Sequence, residues 1–215
     1  MNLGKMRDLL LPEPIQALDI SPFIPLIEKV HVMARPRFLA LMNKVAQCMN
    51  PNEIYLEVGS YQGGSLIGTL LGNKVKGTAV DSFVSWPENN GIEIINRFTK
   101  EFGVFDRMTL YAKDYREYFK SIHRDANIGL YYYDGDHSED QTYEGLEAAW
   151  PFISEDYGTI VLDDTFLQCV CNGINHFIGN HFNRLRISCA ISPYQQYNDD
   201  WWNGTVFLHK MPPGV

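Results

Sequence analysis

Short apolar runs alternate with longer amphipathic stretches through the middle of this chain. The runs fall at 54–58, 76–80, 108–112, 128–133 and 158–162, and each has the length and the β-branched or aromatic content of a buried strand. Strands separated by helical segments predict a parallel sheet. Right-handed crossovers would bring the C-terminal ends of those strands to one edge, where open α/β sheets bind ligands. Beyond residue 164 a helix-like segment, about 167–182, leads to two more strand candidates at 184–192 and 205–210, with a turn-rich aromatic linker at 193–204 between them. Residues 1–50 follow a different pattern. Pro12, Pro14, Pro22 and Pro25 punctuate a helical lead-in, and helices are expected near 22–33 and 36–49, each opened by a proline tolerated in a first turn. The organisation read from the pattern is a helical cap over 1–50 and one α/β domain over 51–215, without internal repeats.

Composition narrows the partners. A chain of 215 residues, 45% apolar and 20% charged, can bury a substantial core as one globular domain without disulfides or structural metal. A net charge of −8 argues against a general nucleic-acid or anionic-membrane surface and leaves a small molecule as the expected partner. Cys169 and Cys171 stand too close together for the usual zinc knuckle, and with Cys48 and Cys189 they read as reduced structural thiols. No uninterrupted apolar segment follows a basic region at the N-terminus, so the expected location is cytoplasmic.

The most informative stretch is Ile54-Tyr-Leu-Glu-Val-Gly-Ser-Tyr-Gln-Gly-Gly-Ser65, a strand ending in an acid and running into a glycine-punctuated turn. Such a turn lets backbone approach a ligand closely. The spacing Glu57-x-Gly59-x-x-x-Gly63 lacks the Gly-x-Gly-x-x-Gly of dinucleotide enzymes, and Glu57 suits a cationic ligand better than a pyrophosphate. Asp81 closes the next strand, where an acid can hold ribose hydroxyls or begin a turn. Asp134-Gly-Asp-His137 and Asp163-Asp164 close two later strands, which should bring their carboxylates together at one edge. Carboxylates so placed repel unless a cation joins them or one stays protonated. His137 can take a proton from an acceptor hydroxyl or fix its loop by hydrogen bonding. The other histidines read as ordinary surface or core residues. Tyr194, Tyr197, Trp201 and Trp202 could stack on an acceptor, form an oligomer contact, or pack back on the final hairpin.

These motifs in order resemble the class I S-adenosylmethionine-dependent methyltransferases, and more narrowly a small subfamily with an Asp-Gly-Asp-His signature. The resemblance covers roughly 52–165. It implies a Rossmann-like, doubly wound, mostly parallel seven-stranded sheet with its last strand antiparallel. It further implies S-adenosylmethionine held by Glu57, Gly59, Ser60, Tyr61, Gly63, Ser65, Asp81, Ser82, Asp114 and Asp134, with Asp81 on the ribose and Asp114 near the adenine unless it simply caps a helix. Similarity to metal-dependent O-methyltransferases implies magnesium or a like cation on Asp134, Asp163 and Asp164, with Asp134 and His137 as catalytic groups. The catechol type has Asn where Asp164 stands here, while the sugar-modifying type agrees. The expected reaction is methyl transfer to a hydroxyl of a small molecule. The alternatives are a metal-dependent hydroxylase or hydrolase on the same scaffold, or a non-catalytic cofactor-binding protein.

Overall fold

The structure is a computed structural model that describes residues 1–85, 90–191 and 203–214. All seven expected strands form: β1 (Ile54–Val58), β2 (Gly77–Asp81), β3 (Met108–Ala112), β4 (Ile128–Tyr133), β5 (Thr159–Leu162), β6 (Leu185–Ile191) and β7 (Thr205–Lys210). They make one sheet in the order β3-β2-β1-β4-β5-β7-β6. The first five are mutually parallel, and β7 inserts antiparallel between β5 and β6. This is the Rossmann-like architecture expected from the strand–helix alternation. β1 and β4 are neighbours although two strands separate them in sequence, so the chain reverses direction across the sheet between them. Ligands of open α/β sheets bind outside the strand ends at such a switch point. Here the loops after β1 and β4 carry the glycine turn and the Asp-Gly-Asp-His run.

Burial follows position in the sheet. Every residue of β4 is buried, whereas the edge strands β3 and β6 are largely exposed. The helices of the N-terminal half are α1 (Leu3–Leu9), α2 (Pro12–Gln16), α3 (Ile24–Lys29), α4 (Pro36–Ala46), α5 (Gly64–Leu70) and α6 (Gly91–Glu101). Those that follow are α7 (Tyr115–Ser121), α8 (Glu139–Ala149) and α9 (Gln168–His181). Two apolar clusters cover the sheet. One gathers residues from α1 to α6, the other residues of α7, α8 and α9.

The N-terminal segment belongs to the first of these cores. Met6, Leu10, Ile15, Phe23 and Leu26 are all buried there, and Phe38 of α4 packs on Tyr132 with ring centroids 5.5 Å apart. α4 begins at Pro36 as its sequence dictates, because a proline holds the preceding residue extended; Arg35 lies at φ −93°, ψ 155°. Asn43 is buried on α4 and donates its amide to the carbonyls of Gly68 and Leu71 at 2.9 and 2.7 Å, satisfying the C-terminal end of α5. α3 is shorter than the 22–33 expected. It stops at Lys29, and Val30 is already extended, because the β-branched pair Val30 and Val32 and the approach to Pro36 favour extended backbone. α4 likewise ends at Ala46, short of residue 49. The linker residues 193–202, with all four aromatics singled out there, lie outside the described residues. No helix among the described residues is long and apolar enough to cross a membrane.

Candidate active site

The glycine turn is fixed by backbone geometry that only glycine supplies without strain. Gly59 has φ +86°, and a Cβ placed on it would stand 1.8 Å from the Asp134 carbonyl oxygen. The turn after β1 therefore presses directly on the end of β4. Gly63, at φ +80°, opens α5, and a Cβ there would meet Ile95 of α6 at 2.8 Å. Asp134 N donates to Val58 O at 2.9 Å, tying the two loops together below the same opening.

Asp81 holds this turn to β2. Its Oδ2 accepts the amides of Ser60 and Tyr61 at 2.8 and 2.9 Å, and its Oδ1 accepts the amide of Phe83 at 2.7 Å. A carboxylate has about four lone-pair positions, so these three bonds leave about one for a ligand. Ser82 beside it is exposed, and Ser65 lies half-buried on α5. Asp114 caps α7 by accepting the Arg116 amide at 2.7 Å, with the Arg116 guanidinium also at 3.3 Å. Its capping role is thus present whether or not it meets an adenine.

Glu57 is fully buried. Tyr55, two residues back on the same strand face, donates to its Oε2 at 2.5 Å. Oε1 has no hydrogen-bond partner among the described residues, and neither does the buried Ser60 hydroxyl. Burial pushes Glu57 up from an ordinary value of 4.5 to about 7, only partly offset by the hydroxyls of Tyr55, Ser60 and Ser65. An orphaned carboxylate oxygen under a glycine turn is the environment a cationic group would relieve.

The acids at the ends of β4 and β5 do converge. Asp134, His137 and Asp164 each present a ligand atom within 4.8 Å of the others. His137 Nε2 lies 2.8 Å from Asp164 Oδ2 and 3.7 Å from Asp134 Oδ1. Both acids raise the imidazole to about 10, so at neutral pH it carries a proton and a positive charge. Burial pushes Asp134 up. It pushes Asp164 up as well, but the hydrogen bonds from His137 and Asn203 outweigh it and leave this acid below the usual carboxylate range.

Asp163, expected beside Asp134 and Asp164, adjoins them through the Tyr132 hydroxyl and not through His137. Its Oδ2 accepts from the Tyr132 hydroxyl at 2.8 Å, and its Oδ1 accepts from Thr205 at 3.2 Å and from the Asp164 amide at 3.0 Å. Burial first, then the charges of Asp134 and Asp164, raise it to about 7. The group brought within reach of one ion therefore contains His137 where the sequence suggested Asp163. Asp164 itself sits at φ +54°, a left-handed conformation that swings its side chain toward His137 rather than along the strand.

Several residues of the site were not singled out from sequence. Tyr55 and Tyr132 share a face with Glu57, as the i, i+2 spacing on β1 and the pairing of Glu57 with Tyr132 require. That signal was present in the alternation. Tyr132 also lies 3.1 Å from Asp134 Oδ2 and so stands between two acids. Asn203 and Thr205 arrive through the insertion of β7 beside β5, which nothing local in their sequence announces.

Solved structures share this fold. TomG of Streptomyces achromogenes, an O-methyltransferase of tomaymycin synthesis determined with S-adenosylmethionine, superposes with a TM-score of 0.66 at 14% identity over 98% of this chain and 99% of that one. An O-methyltransferase from Bacillus cereus, determined with S-adenosylhomocysteine, gives 0.60 at 14% identity over 97% and 90%. A candidate O-methyltransferase from Klebsiella pneumoniae gives 0.65 at 16% identity over 98% and 96%. At such identities the likeness speaks for the fold. No curated protein sequence matches this chain. A family profile described as a methyltransferase domain matches residues 56–165, from the middle of β1 to just beyond the Asp163-Asp164 pair. With half of its length matched, and with the turn and the acid cluster inside the matched part, the chain belongs to this methyltransferase family.

Proposed function

We propose that the protein transfers a methyl group from S-adenosylmethionine to a hydroxyl oxygen of a small molecule. The observation that carries this reading is Glu57: a buried carboxylate, raised to about 7, with one oxygen unpartnered directly beneath a glycine turn. The cofactor brings an ammonium and a sulfonium to that place, and two of the solved structures described above, those from Streptomyces achromogenes and Bacillus cereus, were determined with it or its product. In this reading Gly59 to Gly63 line the methionine end with backbone, together with Ser60, Tyr61 and Ser65. Asp81 uses its remaining lone pair on the ribose, and Ser82 and Asp114 border the nucleoside.

In the reaction an acceptor oxygen lone pair forms the new O–C bond while the C–S bond breaks toward sulfur, leaving S-adenosylhomocysteine. The proton lost by the hydroxyl needs an acceptor. Asp134 suits this because burial raises its proton affinity and it lies at the shared opening of the β1 and β4 loops. His137, already an imidazolium, acts instead as a fixed positive charge beside the developing oxyanion and holds Asp164. Positioning acceptor and methyl in line supplies a large part of the acceleration.

The donor set also fits a divalent cation. Asp134, His137 and Asp164 would hold it, with the ion displacing the imidazole proton, and one imidazole among carboxylates widens the choice from magnesium to manganese or a similar metal. Such an ion would supply Lewis-acid stabilisation of the acceptor oxyanion. The test is transfer of a labelled methyl group from S-adenosylmethionine to a panel of phenols, sugars and amines, with manganese or with excess chelator. Labelled ethers support O-methylation; label found only on amines rejects it.

A further inference from the structure

The segment between α3 and α4 lies outside every motif of the family match, yet it touches the glycine turn. His31 Nδ1 is 3.0 Å from the Tyr61 hydroxyl, and the two rings meet edge-on with centroids 5.7 Å apart at 71°. Next to it, Val32 packs so closely on the first residue of α5 that a Cβ on Gly64 would come within 2.6 Å of a valine methyl. Tyr61 is itself held on two other sides. Its amide donates to Asp81, and its carbonyl would lie 2.5 Å from a Cβ on Gly91, at the start of α6. Its backbone adopts φ +49°, which an aromatic residue rarely does unless its surroundings impose it.

We propose that His31 is a positioning residue for the cofactor site: by binding the Tyr61 hydroxyl it fixes the one aromatic ring carried by the glycine turn and joins the N-terminal segment to the wall of the site. This rests on the reading that S-adenosylmethionine binds over Gly59 to Gly63. The backbone of Tyr61 is pinned by Asp81 and α6, and the hydroxyl and edge-on ring contacts with His31 add a restraint on the orientation of its side chain. A ring set in place before binding spares the ligand the entropy of ordering it, which is how preorganisation raises affinity. His31 is exposed, so replacing it leaves the core intact.

The test is titration of S-adenosylhomocysteine into full-length wild type, His31→Ala, Tyr61→Phe and the double variant, with unfolding midpoints measured in parallel. Each single substitution is expected to weaken binding roughly three- to ten-fold, the range of one net hydrogen bond. The double variant should be no weaker than the weaker-binding single, because both remove the same contact. His31→Asn, which sets an amide near the place of Nδ1, should recover most of the loss, and the midpoints should stay together. Unchanged affinity in His31→Ala, additive losses in the double variant, or no recovery with Asn would overturn the assignment while wild-type binding leaves the cofactor reading intact. Wild type that does not bind S-adenosylhomocysteine would remove both.

Discussion

Replacing Glu57 with Gln should exchange function for stability in a pH-dependent way. The side chain is fully buried and its ionised form is only partly compensated: one oxygen accepts from Tyr55, while the nearby Ser60 and Ser65 hydroxyls favour the charge without a well-formed bond to the other. Its folded-state value of about 7 lies above its ordinary 4.5. A carboxyl raised on folding contributes stability that is complete below about 4.5 and is lost as the pH climbs through about 7. At 1.36 kcal/mol for each pH unit between those two values, the loss amounts to about 3 kcal/mol by pH 8.5. Gln cannot ionise and removes this slope. Its own unpartnered amide adds a penalty that does not change with pH, so the informative quantity is how the difference between the two proteins varies with pH. Urea unfolding of wild type and Glu57→Gln without ligand, from about pH 5 to pH 8.5, should show Gln gaining about 2.5 kcal/mol on wild type across the range. The same substitution should abolish most cofactor affinity, and wild-type binding should strengthen as the pH rises through about 7. Parallel stability curves for the two proteins would refute the idea that Glu57 is an acid whose burial outweighs its hydrogen bonds.

Three further outcomes are expected. Gly59→Ala should destabilise the protein by at least about 2 kcal/mol, because a side chain at φ +86° is strained and its Cβ would collide with the Asp134 carbonyl; thermal unfolding within error of wild type would contradict this. Asp81→Ala should weaken cofactor binding roughly ten- to hundred-fold and also lower the unfolding midpoint, since it frees the amides of Ser60, Tyr61 and Phe83. Unchanged affinity in a folded variant would remove Asp81 from the ribose. Excess chelator should stop methyl transfer while sparing cofactor binding, with manganese restoring turnover; full activity of metal-stripped protein would leave Asp134 and His137 to act without an ion.

The sheet was legible because each strand advertises itself. Runs such as Ile128 to Tyr133 are apolar throughout, and burial on both faces demands that pattern. The positions of Glu57, Gly59, Asp81 and Asp134 followed from the rule that parallel strands end on one edge. What the sequence could not convey was the direction of individual side chains. Asp163 and Asp164 are adjacent, so their side chains diverge, and which one faced His137 depended on the left-handed backbone of Asp164 and on Thr205 arriving from β7. His137 was open to two roles until two neighbouring carboxylates were seen to hold its proton. His31 looked ordinary because its partner, Tyr61, is distant in sequence and meets it only through the packing of the N-terminal segment on α5.

Titration calorimetry of S-adenosylmethionine into wild type and Glu57→Gln tests most directly whether a cationic cofactor relieves Glu57 beneath the glycine turn. The expected result is one site per wild-type chain, proton release on binding below about pH 7 as Glu57 ionises, and a loss of most of that affinity in Glu57→Gln. Wild type that takes up no S-adenosylmethionine, or binds it as tightly after Glu57→Gln, would contradict it.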